Sequence, residues 1–293
     1  MPEMKVQLGP VQADIGDGRG PQRGQFCLQQ ALLKNKPDWL TISNERIPDD
    51  TIPWFWSCHS SYDIVECHLR KRPFIIGPNV LFGNSRHPKY EEYESIVCSS
   101  PHCRLIFTES DWYSRLIREN LSSESKAKVC VVPYPVTQMT DKYVQQFFVA
   151  RDLLIFCKSG YDSEDVALLF RKFNCTIAIY GNYRHDWLPQ AAATSKLCLY
   201  LSDDDRGPLA AAEILLTGCP IIGTEQGCPW VREIYGVGYE LSCLEASAII
   251  KIIGRAMNTD LPRQAVRRRA KAFFDPCRVS QIVINELEAA RKL

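Results

Sequence analysis

The sequence predicts an α/β protein made of two successive parallel-sheet halves, and three observations carry that reading. Short apolar runs alternate with amphipathic stretches, the pattern of parallel strands covered by helices. Val132-Pro133-Tyr134-Pro135 interrupts the alternation, because proline cannot donate to a strand ladder. After a less regular stretch ending near Arg151, which reads as a linker, the alternation begins again.

In the first half, strands are expected at 5–8, 39–42, 63–66, 74–77, 105–108 and 129–132, with helices at 25–33 and 111–120. In the second, strands at 153–157, 176–180, 197–201 and 220–223 alternate with helices at 163–173, 188–194 and 208–217. Pro208 suits a first helical turn, where its missing N–H costs nothing, and Gly218 suits the position just past a helix end. Segments 244–253, 262–273 and 278–293 read as helices. The boundaries expected are 1–143, 144–275 and a final helical segment, 276–293, returning to the first domain.

Composition narrows the function classes. A length of 293 residues has room for about two ordinary domains. Hydrophobic residues at 45% with 24% charged fit a soluble protein with a substantial core. A net charge of +1 gives no global attraction to nucleic acid. No apolar run approaches the roughly 20 residues of a membrane span, and Met1-Pro2-Glu3-Met4-Lys5 lacks a signal peptide's apolar core. The 13 cysteines are an odd number, and several (Cys130, Cys157, Cys198) lie inside apolar runs, where the free thiol acts as a small hydrophobe. A reducing, cytoplasmic setting is expected, with at most peripheral membrane contact.

The chemistry concentrates in Asp205-Arg206-Gly207-Pro208-Leu209-Ala210-Ala211-Ala212-Glu213. A carboxylate follows a strand, a glycine turn opens a small-residue helix, and a second carboxylate lies two turns inside it. The N–H groups at a helix start and the partial positive charge there suit a phosphate. Flanking carboxylates accept strong hydrogen bonds from sugar hydroxyls. A phosphate grip beside a polyol grip suits a nucleotide-sugar.

On these residues the second half resembles the C-terminal domain of GT-B glycosyltransferases, in particular the retaining group called glycosyltransferase family 4. Asp205 and Glu213 stand at that group's two acids, with aspartate where glutamate is usual and Arg206-Gly207 where an aromatic is common. The continuation Leu216-Thr217-Gly218-Cys219-Pro220-Ile221-Ile222-Gly223-Thr224, followed by Glu233, is similar to the family's Gly-x-Pro-apolar-apolar stretch. Ala178-Ile179-Tyr180-Gly181 resembles its strand ending in glycine, and Phe156-Cys157-Lys158-Ser159-Gly160 its strand ending in a basic residue. The first half matches less, best at Ile75-Ile76-Gly77-Pro78-Asn79, Phe107-Thr108-Glu109-Ser110-Asp111-Trp112 and the Val131–Pro135 segment.

The resemblance implies two Rossmann-like domains facing across a cleft and sugar transfer from a UDP- or GDP-sugar, with retention, to a glycan, lipid-linked or small-molecule acceptor. It implies no cofactor and no metal. Lys158 would meet the diphosphate, Glu213 the ribose and Asp205 the transferred sugar, with the backbone of Gly207, Pro208 and Leu209 near the phosphates and Gly181 near the base. The glycine-rich stretch containing Gly18 and Gly20, before the first helix, would face the cleft. His68, read at the carboxyl end of the strand at 63–66, would touch acceptor or donor sugar.

Rival readings attach to several of these residues. Asp203-Asp204-Asp205 contains the Asp-x-Asp that holds a divalent metal in GT-A glycosyltransferases. A nucleotide-sugar epimerase and a non-catalytic sugar-nucleotide-binding subunit share the same two-domain plan. Cys58-His59, Cys67-His68, Cys98 and His102-Cys103 form a zinc-like set without a familiar ligand spacing. Trp54-Phe55-Trp56 reads as buried aromatics beside a proline. Arg263, Arg267, Arg268, Arg269 and Lys271 read as a solvated basic helix face.

Overall fold

The structure is a computed structural model describing residues 4–9, 21–57, 61–80, 91–136, 149–184, 186–235, 240–259 and 262–293. The chain divides into two compact units, Met1–Pro135 with Pro276–Leu293, and Val136–Asp275. Each is built on one parallel sheet, the α/β class that the alternation predicts.

The first unit orders six strands β2-β1-β3-β4-β5-β6. They are β1 (Lys5–Gly9), β2 (Leu40–Ile42), β3 (Thr51–Ser57), β4 (Phe74–Asn79), β5 (Cys103–Thr108) and β6 (Lys128–Val131), joined through α1 (Pro21–Asn35), α2 (Ser61–Leu69), α3 (Glu91–Ser99) and α4 (Asp111–Asn120). One face packs Phe55, Ile64, Phe74, Ile76, Tyr93, Tyr113 and Ile117 into a core. Ser110 starts α4 by accepting a hydrogen bond from the Tyr113 N–H, which satisfies a donor the helix itself leaves free. The last helix, α11 (Pro276–Arg291), packs on α1 within this unit. Arg291 ties it down, donating from Nε to the Met4 carbonyl at 2.9 Å with its guanidinium 4.8 Å from the Trp39 ring centre.

Two elements differ from the expectation. Residues 63–66 are helical, inside α2, and not a strand. Ile64 and Cys67 are buried while Asp63, Glu66 and Leu69 are exposed, a three-residue spacing that a short apolar run disguises. The missed strand is β3, all seven residues buried, with Pro53 opposite Gln7 of β1. Proline argues against a central strand. Burial of two tryptophans outweighs it: Trp54 donates its indole N–H to the Gly77 carbonyl at 2.8 Å, and Trp56 stacks on Tyr134.

The second unit orders five strands β11-β10-β9-β7-β8. They are β7 (Arg151–Cys157), β8 (Cys175–Ile179), β9 (Ser195–Leu201), β10 (Ile221–Thr224) and β11 (Glu240–Leu241). Around them lie α5 (Ser163–Lys172), α6 (Trp187–Ala193), α7 (Leu209–Leu216), α8 (Trp230–Tyr235), α9 (Ala246–Met257) and α10 (Arg263–Phe273). The basic face of α10 is not merely solvated. Arg263 donates to the carbonyls of Ala192 (3.0 Å), Ala193 (3.1 Å) and Ser195, Arg267 to Leu216 (3.2 Å) and Arg269 to Ile234 (3.4 Å). Three arginines of one helix thus satisfy carbonyls at the ends of α6, α7 and α8, where the partial charge is negative. Arg268 is exposed.

The described cysteines are free thiols, and most are buried. Burial pushes Cys67 and Cys157 up to about 11, so they behave as core side chains and not as nucleophiles. Among the described residues no helix is long and apolar enough to cross a membrane.

Candidate functional site

In an open parallel sheet, ligands gather where the chain turns to opposite sides of a central strand pair. In the second unit that point lies outside the carboxyl ends of β7 and β9, since β7 leads outward to β8 and β9 leads the other way to β10. Lys158 directly follows β7, and Asp205 follows β9 by four residues. The strands pair Cys157 with Leu201, and the Lys158 N–H continues the ladder to the Leu201 carbonyl at 2.9 Å. Strand register therefore brings the two residues to one place.

Lys158 Nζ lies 2.7 Å from Asp205 Oδ2, with side chains 23% and 12% exposed, so the pair is shielded yet open to a ligand. Tyr200 donates its hydroxyl to the same oxygen at 2.9 Å. Burial, and then the charge of Asp205, raises the ionisation of Tyr200 well above its ordinary value, keeping the phenol a donor. The Lys158 ammonium also stands 5.5 Å from the centre of the Tyr180 ring. Asp205 is fixed through its backbone as well, its N–H bonding the Gln226 carbonyl at 2.9 Å.

The other two aspartates turn elsewhere. Asp203 accepts the Ser159 hydroxyl, and Asp204 pairs with Arg206 (Nε to Oδ1, 3.3 Å; Nη2 to Oδ2, 3.4 Å). Gly160 makes room for Asp203: it holds φ +65°, and a Cβ there would lie 2.5 Å from the Asp203 Cβ. Three consecutive carboxylates thus diverge onto three partner sets. Among the described residues, which include Cys67, His68, Cys98, His102 and Cys103 of the zinc-like set, no group of three or more His, Cys, Asp or Glu could hold a metal ion. Cys58 and His59 of that set lie outside the described residues.

Helix α7 begins at Leu209, so Pro208 occupies the cap position and not the first turn, with ψ 88° and no side-chain cap. Its first-turn N–H groups are those a bound anion would use. Glu213 sits in the second turn, 5% exposed, among Ala211, Ala212 and Ile214. Small neighbours let the helix pack closely while an acid remains inside it. Gly181 follows β8 with φ +89°, at the same carboxyl edge of the sheet. Glu233 lies in α8. The turn after β10 braces the Asp205 loop: Thr224 donates to the Ser202 carbonyl at 3.2 Å and accepts the Gly227 N–H at 2.9 Å.

His68 is misplaced by the sequence reading. It lies in the last turn of α2, its Nδ1 3.0 Å from the Ser100 hydroxyl and its ring 6.4 Å from that of His102. Ser100 and His102 precede β5, so His68 stands at the amino edge of the first sheet, opposite the edge where ligands gather. Burial lowers the pKa of His102, and His68 adds to the effect. Gly18 and Gly20 lie outside the described residues.

Sequence reasoning missed Tyr200, which reads as one more apolar residue in Ser195–Leu201. At the carboxyl edge of the first sheet it noted the stretches holding Glu109 and Tyr134 as family-like but not their contact. There the Tyr134 hydroxyl donates to Glu109 Oε1 at 2.9 Å beside the buried Trp56.

Solved structures of several glycosyltransferases superpose over nearly the whole chain. HepE of Anabaena, in complex with UDP and glucose, matches at TM-score 0.63 and 12% identity, over 98% of this chain and 100% of its own. Sucrose-phosphate synthase from Thermosynechococcus elongatus matches at TM-score 0.61 and 12% identity, over the same shares. The fold is GT-B. The DNA-modifying β-glucosyltransferase, solved in the presence and absence of uridine diphosphoglucose, matches at TM-score 0.55 and 10% identity, over 99% and 100% of the two chains. No known family profile matches the sequence, and no characterised protein matches it significantly. In GT-B terms, the switch point of the second unit is the carboxyl edge of the second Rossmann-like domain.

Proposed function

We propose that the chain is a glycosyltransferase that moves a sugar from a nucleotide-sugar to an acceptor hydroxyl, of the retaining family 4 type and working without a metal. The observation that carries this reading is the convergence, in a GT-B fold, of the Lys158–Asp205 pair on a switch point beside the uncapped start of α7. HepE in complex with UDP and glucose, and the β-glucosyltransferase with uridine diphosphoglucose, make a uridine diphosphate sugar the first donor to test and a GDP-sugar the second.

In this reading the second unit holds the donor. As the bond to the sugar breaks, negative charge grows on the departing diphosphate. Lys158 and the N–H groups of Leu209 and Ala210 are fixed donors that stabilise that charge more than they stabilise the ground state. The backbone of Gly207 and Pro208 shapes the approach, and Gly181 borders the base. Glu213 takes the ribose hydroxyls and Asp205 the transferred sugar, the roles the family resemblance implies. The first unit takes the acceptor, a glycan, a lipid-linked sugar or a small molecule, at the carboxyl edge carrying Trp56, Glu109 and Tyr134. A cytoplasmic setting, with at most peripheral membrane contact, suits the free thiols.

Thermal-shift titration with a panel of UDP- and GDP-sugars tests the reading. The true donor raises the melting temperature with the logarithm of its concentration over Kd once it is in excess of Kd. A panel in which no nucleoside diphosphate or nucleotide-sugar shifts the melting temperature would refute it.

A further inference from the structure

Two donors reach the Asp205 carboxylate from the strands beneath it. Lys158 Nζ and Tyr200 Oη lie 2.7 Å and 2.9 Å from one oxygen, Oδ2. Tyr200 belongs to β9, is 1% exposed, and stacks on Phe156 of β7 with ring centres 4.5 Å apart and planes 17° from parallel. Its ring is therefore fixed between two strands. Phenylalanine would fill the same space without a polar group to satisfy, and a buried hydroxyl costs stability unless it is bonded. The hydroxyl here goes to the one acid that also holds Lys158.

Each link of the chain Tyr200, Asp205, Lys158 restrains the next. The tyrosine cannot rotate without unstacking from Phe156. Its bond holds one carboxylate oxygen, and that oxygen holds the ammonium at the carboxyl end of β7. A lysine stem has four rotatable carbons, so an unheld ammonium would spend little time where a phosphate needs it.

We infer that Tyr200 is a positioning residue of the nucleotide site, fixing the Asp205 carboxylate and, through it, the Lys158 ammonium at the place of the donor's diphosphate. The inference rests on the functional reading above and adds a duty to it: Asp205 acts on the diphosphate side, whatever it does for the sugar. Tyr200 touches no reacting atom.

A sugar-free ligand isolates that duty. Calorimetric titration of the full chain with UDP, and separately with GDP, is made on wild type, Tyr200→Phe, Lys158→Ala and the double variant. Tyr200→Phe weakens binding of whichever nucleoside diphosphate the wild type takes by about fivefold or more, and by under about twofold when Lys158 is already alanine. The same cycle on Asp205→Ala gives the same loss of effect, and keeps the test open if Lys158→Ala fails to fold. Equal weakening with and without Lys158 marks a merely structural tyrosine and overturns the inference. So does unchanged affinity in Tyr200→Phe, with the functional reading left standing. A wild type that binds neither diphosphate overturns both.

Discussion

Lys158 and Asp205 meet at 2.7 Å across the carboxyl ends of two adjacent parallel strands. Neither residue alone would mark a site, because a lysine after a strand and an aspartate before a helix each have ordinary surface explanations. Their meeting follows from the order β8-β7-β9, which places the exits of β7 and β9 side by side with their connections leaving in opposite directions. The two charges pair in a setting where the carboxylate is only 12% exposed, and the carboxylate holds the lysine in place. A diphosphate arriving there meets an ammonium already placed.

Glu213 gives the most direct test of the donor side. The acid is 5% exposed in α7, preceded by three alanines and followed by Ile214, so truncation removes a buried hydrogen-bonding group. Replacement by alanine weakens donor binding or turnover by roughly tenfold or more, the loss of one charge-assisted bond, while circular dichroism stays that of the folded protein. Unchanged kinetics in Glu213→Ala would remove Glu213 from the donor site.

The divergence of the three aspartates bears on metal. Asp203 faces Ser159, Asp204 faces Arg206, and Asp205 faces Lys158 and Tyr200. Gathering them around one divalent cation would break all three sets. Transfer is expected to persist in excess EDTA, with no more than about a twofold change in rate, since Lys158 and the helix start supply the positive field. Loss of activity on chelation, restored by Mn²⁺ or Mg²⁺, would instead assign the Asp-x-Asp to a metal.

Most of the second unit was legible in the sequence because its strands are short apolar runs ended by glycine, proline or charge, and α5 carries a side-chain cap, Asp162, which accepts the Glu164 N–H. The paired acids were legible for the same reason: the strand before them and the Gly-Cys-Pro after them fix their place in the fold. Two kinds of feature were hidden. Pro53 concealed β3, since local proline chemistry spoke against a strand that burial of Trp54 and Trp56 nevertheless stabilises. His68 was assigned to the wrong edge because the four-residue stretch 63–66 is too short to tell period 2 from period 3.6. The partners of Lys158 and Tyr200 were illegible in principle, for they depend on strand order.

The arginines of α10 give a prediction about stability. Arg263 bonds three carbonyls around the end of α6, so its removal takes a charged donor from each of them in a half-buried place. Arg263→Ala should destabilise the protein by about 2–3 kcal/mol in urea unfolding. The exposed Arg268, one turn on, should change stability by less than about 0.5 kcal/mol when replaced by alanine. If the two variants melt alike, the carbonyl contacts do not hold the unit together.

Two glycines make opposite predictions for the same substitution. Gly227 lies in the turn that accepts the Asp205 N–H through Gln226, and a Cβ there would run into the Ser202 carbonyl oxygen, a backbone atom that cannot swing aside. Gly227→Ala must therefore push apart the turn and the Asp205 loop. It should destabilise by about 1–3 kcal/mol and weaken nucleotide binding together. Gly254 is exposed within α9, and a Cβ there meets nothing within 4 Å. Its glycine contributes only backbone freedom to the unfolded chain, so Gly254→Ala should stabilise by about 0.5–1 kcal/mol and leave nucleotide affinity unchanged. Urea unfolding and UDP titration on the two variants read both effects. A tolerated alanine at Gly227, with wild-type affinity, would show that the Asp205 loop does not depend on that turn.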